Sequence, residues 1–136
     1  MKITCINSSV KQYGNYLEMG SEHIVYGIEL YNGALRYLIT DGGKRPFWYP
    51  SELFRITDPL VYAEWYVSAG EYQGKLNVIW GYKELLGPAH YQNLLEREPE
   101  DMRIFEKRKQ EIDEYEALGS RRLECLQNLA PFTREH

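Results

Sequence analysis

Histidine and cysteine are scarce in this chain: three of the first and two of the second in 136 residues. His23, His90 and His136 are never spaced i,i+4, and no H-E-x-x-H or Cys/His cluster occurs, so no motif presents a zinc pair. Cys5 and Cys125 lie at opposite ends of the sequence, and neither belongs to a C-x-x-C. They read as two ordinary thiols of a reducing compartment, a single bridge between them being the other option. Long apolar runs are missing too. The longest is Leu60 to Ala63, which excludes a membrane-spanning helix. Met1 to Ser9 lacks the apolar stretch of a secretory signal, so a soluble cytoplasmic protein is expected. There is no basic excess either. Sixteen Lys and Arg against twenty Asp and Glu leave a net charge of −4, which disfavours a general nucleic-acid surface.

What the chain does have is aromatic residues. Twelve Tyr, four Phe and three Trp make 14% of it, with 43% hydrophobic and 26% charged residues overall. Such a chain can bury enough apolar surface to offset its ordering entropy, so one folded domain is expected.

The strongest local signal is Asn32-Gly33 between apolar runs, since both central residues of a type I′ hairpin turn need φ > 0. With that turn, paired residue numbers sum to 65. Leu30 then faces Leu35, Ile28 faces Tyr37 and Tyr26 faces Ile39 on one wholly apolar side. Glu29 faces Arg36 and Gly27 faces Leu38 on the other, with His23 near the strand start. Asp41 to Lys44 forms a second turn, and Pro46 to Tyr49 a short strand flanked by prolines at 46 and 50, which mark an edge or a strand end. Pro50 to Phe54 reads as one helical turn, Arg55 to Thr57 as a short strand, and Lys2 to Asn7 as an opening strand. These describe an α+β fold: a small, strongly bent antiparallel sheet, of which an SH3-like barrel is the commonest form, followed by C-terminal helices.

Strands are also expected around 62–68 and 76–80, with a turn from Gly70 to Gly74; Asp58-Pro59 as a helix start is the competing pattern there. After Gly81 the charges concentrate, with nine Lys and Arg and twelve Asp and Glu in 81–136. Gly87-Pro88 opens one helix to about Arg97. Pro99 opens another, with Met102, Phe105, Ile112, Tyr115 and Leu118 as its apolar stripe. Gly119 is a plausible stop, with a last short helix from Arg121 to Leu129. Residues 1–80 thus form a β-domain and 81–136 a helical region packed on it, as one folding unit.

Catalytic patterns are missing. Asp41-Gly42-Gly43-Lys44 feeds a strand and not a helix, so it cradles no phosphate, and no G-x-S-x-G elbow occurs. Cys5 has no neighbouring His, and His90 reads as a surface or capping residue. No cofactor and no metal are expected. The informative segment is Lys44-Arg45-Pro46-Phe47-Trp48-Tyr49. Strand alternation sends Trp48 opposite to Phe47 and Tyr49, so one large ring is either covered by the helices or left as an exposed anchor beside two cations.

The stretches Tyr37 to Asp41, Trp48 to Phe54 and Gly81 to Leu85 resemble small bacterial SH3-like and immunity-type domains of uncharacterised function, over residues 23–112. The resemblance implies a protein-binding role and no catalytic residues. The leading expectation is a non-enzymatic protein-binding domain, one form of which is an immunity-type protein masking a toxin. Its contact residues would be Lys44, Arg45, Phe47, Trp48 and Tyr49, with Glu106, Glu111, Asp113 and Glu114 on an acidic helix face that steers a basic partner. The alternative is an SH3-like module that reads proline-rich peptide or single-stranded nucleic acid through the aromatic strand. A hydrolase or transferase built on gathered acids and His23 has the least behind it.

Overall fold

The computed structural model describes residues 1–7, 17–42 and 45–129, with side chains described through Leu118. The order is β1 (Lys2–Cys5), β2 (Glu22–Ile24), β3 (Gly27–Tyr31), β4 (Ala34–Thr40), β5 (Pro46–Pro50), a 3-10 turn (Ser51–Leu53), β6 (Phe54–Asp58), β7 (Tyr66–Tyr72) and β8 (Lys75–Gly81). A second 3-10 turn (Lys83–Leu86), α1 (His90–Leu95) and α2 (Pro99–Leu129) complete it. The fold is α+β. Its strands form two antiparallel sheets, ordered β2-β1-β6 and β5-β4-β3-β8-β7. They do not close into a barrel among the described residues. No helix among those residues is long and apolar enough to cross a membrane.

The central hairpin has the register that Asn32-Gly33 dictates: Gly27 pairs with Leu38, Ile28 with Tyr37, Glu29 with Arg36 and Leu30 with Leu35. Asn32 and Gly33 take φ values of 49° and 80°, and Glu29 and Arg36 form an ion pair. Tyr26 departs from the expected pattern. The chain breaks from β2 to β3 at Val25-Tyr26, so the Tyr26 ring turns to the helix side, away from Ile39, and packs edge-on to Phe105. His23 likewise lies on the other side from Glu29 and Arg36, with its ring edge-on to Phe54.

Both faces of the five-stranded sheet are used, where one apolar face was expected. Tyr37, Ile39 and Tyr49 pack with Ile3, Cys5, Leu53 and Phe54 between the two sheets. On the opposite side, Leu38 and Trp48 pack with Tyr82, Leu85, Leu94, Phe105 and Ile112 under the helices. Leu85 can settle there because its floor is glycine. Gly27 and Gly81 pair across β3 and β8, and a Cβ on either would come within 2.5 or 2.6 Å of Leu85 Cδ2.

Several boundaries differ from the sequence reading. Tyr62 to Trp65 is turn and not strand, and Gly70 lies inside β7, with the hairpin turn at Gln73-Gly74. Asp58 Oδ1 accepts from the Leu60 N–H at 3.0 Å, so it closes an Asx turn instead of starting a helix. Gly119 does not stop α2, which runs on to Leu129. Leu118 is exposed, while Glu116 is buried and pairs with the Met1 ammonium.

Candidate functional site

The aromatic strand is the first candidate, and the structure takes most of it away. Trp48 is 5% exposed, with Tyr91 of α1 across its ring at 5.8 Å. The helices cover it, the first of the two alternatives, so Trp48 is corrected as a contact residue. Tyr49 is buried on the opposite face, its hydroxyl 3.4 Å from Asp41 Oδ2 and its ionisation pushed up chiefly by burial. Phe47 remains partly exposed. The Arg45 guanidinium pairs with Asp41 at 3.5 Å, and Lys44 lies outside the described residues, as does the Cys125 side chain. A stacking surface through this strand would therefore have one ring, not three.

The acidic helix face is partly neutralised by its own neighbours. Asp113 accepts from Lys109 at 2.6 Å and from the Tyr26 hydroxyl at 2.6 Å. Glu111 accepts from Arg108 at 3.2 Å. Glu106 and Glu114 face solvent, Glu114 within 3.3 Å of Gln110.

Two polar constellations were not visible in sequence. His90, expected at the surface, is 6% exposed and sits between the Tyr82 hydroxyl and Asp101, 2.8 Å from each. Burial drives the Tyr82 hydroxyl far above the usual phenol range and holds it as the neutral phenol. The second is Arg108, which grips Glu84 through two contacts of 2.8 Å. That bond raises the guanidinium and holds the Glu84 carboxyl below the usual range. Arg108 borders a cleft of about 400 Å³ beneath Tyr62, Trp65 and Tyr66. Its charge is already matched by Glu84 and Glu111, so the cleft offers no free guanidinium to an anion. Cys5 is buried, with its thiol pushed up by burial, the setting of an inert thiol. Among the described residues no three His, Cys, Asp or Glu side chains gather as a metal site.

What remains is a sheet surface. Register aligns Tyr49, Tyr37, Ile28, Trp80 and Val67 in one row across β5, β4, β3, β8 and β7. Their burial decays along the row. Tyr49 and Tyr37 are buried under the three-stranded sheet, Ile28 and Trp80 are half-buried, and Val67 is 59% exposed. The next row, Leu35, Leu30, Val78 and Ala69, ends at an exposed Ala69, and Leu76 beyond it is 56% exposed. The covering sheet stops short, yet the apolar pattern continues. A cluster of exposed and half-exposed apolar side chains on adjacent strands marks an interaction surface more often than scattered ones do. The individual signals were in the sequence, as Val67, Leu76, Val78 and Trp80. Their union on one face needed the strand order.

No family model matches the sequence, no curated protein matches it, and no solved structure matches the chain.

Proposed function

We propose that this chain is a non-enzymatic protein-binding domain whose contact surface is the uncovered β8-β7 face, formed by Val67, Leu76, Val78, Trp80 and Leu30. The observation that carries the reading is the pair of apolar rows running out from under their cover. Desolvating such side chains is the main driving force of association, and Trp is among the residues that dominate interface energetics. An immunity-type role, in which the partner is a toxin, is one specific form of it. The net charge of −4 favours approach by a basic partner. The SH3-like part of the reading rests on the division of strands. β1 pairs with β2 and β6 while β3, β4 and β5 pair in the other sheet, and a single 3-10 turn precedes β6.

The experiment is affinity purification from the native host with the wild-type chain, Leu76→Asp and Phe47→Ala in parallel. One stoichiometric protein should be recovered by the wild type and by Phe47→Ala, and lost with Leu76→Asp. Recovery by Leu76→Asp with loss in Phe47→Ala would return the contact to β5 and reject this surface.

A further inference from the structure

Independently of the apolar face, the β7 edge of the five-stranded sheet, which pairs with no further strand among the described residues, has a geometry of its own. Edges of sheets are normally blunted by proline, lysine, bulges or a covering element. The far edge, β5, begins at Pro46 and ends at Pro50. The near edge, β7, reads Tyr66-Val67-Ser68-Ala69-Gly70-Glu71-Tyr72, without proline or lysine, and every one of its residues is exposed.

The hairpin turn tells which backbone groups are free. Gln73 and Gly74 have φ values of 52° and 77°, a two-residue loop that closes on the hydrogen-bonded pair Tyr72 and Lys75. Bonding alternates from there. Tyr66, Ser68, Gly70 and Tyr72 direct their N–H and C=O groups to β8, and Val67, Ala69 and Glu71 direct theirs outward.

The geometry points to a second copy of this chain as the occupant: two β7 strands pair antiparallel about a two-fold axis at Ala69 and join the five-stranded sheets of two copies. An isologous contact must be self-complementary, and this register is. Ala69 meets Ala69, and Val67 meets Glu71 twice, so every outward N–H and C=O of the three residues finds a partner. Shifting the axis to Val67 or Glu71 leaves some of them unpaired, and the latter sets Glu71 against itself. On the helix side of the sheet Tyr66 meets Tyr72 twice, an aromatic cross-strand pair. The two tyrosines are 54% and 59% exposed and contribute about 200 Å² per copy. A standard interface buries about 800 Å² per partner, so the association is a weak one, with a dissociation constant on the order of micromolar or above.

Sedimentation velocity of the full chain over a wide concentration series tests this. The weight-average mass should rise from one copy to two. Ala69→Pro removes only an outward N–H, so it should keep the circular dichroism spectrum while weakening the dimer at least about tenfold, two main-chain bonds being lost. Val67 faces Glu71 of the other copy, so Val67→Lys should tighten association a few-fold and Val67→Glu should loosen it by a similar factor. A chain that stays monomeric throughout overturns the proposal. So does a dimer that Ala69→Pro leaves intact, or one shifted in the same direction by Lys and Glu at position 67. Leu76→Asp, which tests the apolar face, leaves the edge bonds in place, so the two readings fail separately.

Discussion

The Tyr82 hydroxyl stands 2.8 Å from Nε2 of His90, whose Nδ1 is in turn 2.8 Å from Asp101 Oδ1. A neutral imidazole protonated at Nδ1 satisfies all three groups: it donates to the carboxylate and accepts from the phenol. The pairing ties the end of β8 to the starts of α1 and α2 inside the second core. His90→Phe leaves the phenol without its acceptor and the carboxylate without its donor, and should cost about 2 kcal/mol in urea unfolding. Tyr82→Phe leaves only Nε2 unpaired and should cost about 1 kcal/mol. The double variant should fall short of the sum, because both act on one network. Full additivity would mean the two side chains are not coupled.

The glycine floor gives a second test. Gly27→Ala places a methyl group against Leu85 and also 3.3 Å from the Trp48 ring, so it should destabilise by about 1–3 kcal/mol. Leu85→Ala alone should cost about 2–5 kcal/mol through the cavity it leaves. In the Leu85→Ala background, Gly27→Ala should cost clearly less, since only the 3.3 Å approach to the Trp48 ring remains. A Gly27→Ala penalty that is undiminished there would place its origin elsewhere than in the Leu85 contact.

Trp48 divides structural from binding roles. Its burial between Leu38 and the helices predicts that Trp48→Ala lowers unfolding free energy by about 3–5 kcal/mol. Phe47→Ala, at a partly exposed ring, should cost far less. Thermal melts of the two variants check this, and equal losses would contradict the covered position of Trp48.

His23 sets a pH dependence. Burial holds its imidazole below the usual 6.5, so between that value and its folded one the unfolded chain binds more protons. Stability should therefore fall as pH drops below about 6.5 and level off below the folded value. The lowered Glu84 carboxyl acts in the same sense at more acidic pH: its contribution is present above its usual 4.5 and lost as pH falls through its folded value. His23→Gln should flatten the first part of the profile and leave the second. An unchanged slope between pH 6.5 and 5 would assign the effect elsewhere.

Local signals with a steric cause were legible in sequence. Asn32-Gly33 set the central register because few residues tolerate φ > 0, and the prolines marked β5 as an edge or a strand end because they cannot donate to a ladder. Signals that depend on what covers a surface were not. Alternation along β4 says that Tyr37 and Leu38 face opposite ways, but not that both faces are buried. Tyr26 turned to the helix side at a chain bend that its own alternation does not record. Gly119 reads as a stop, yet a glycine in a helix interior costs only about 1 kcal/mol, which a long helix absorbs. The apolar β8-β7 face escaped for the same reason as His90: each was a matter of distant elements, the short reach of the three-stranded sheet in one case and the approach of α2 in the other.

The proposed binding surface is the β8-β7 sheet face and not the aromatic strand. Titration calorimetry of the recovered partner against Leu76→Ala, Val78→Ala, Phe47→Ala and Arg45→Ala measures it directly. The first two should weaken binding, with at least one of them losing about 2 kcal/mol or more, while the last two stay within about 0.5 kcal/mol of wild type. A loss confined to Phe47→Ala and Arg45→Ala would contradict it.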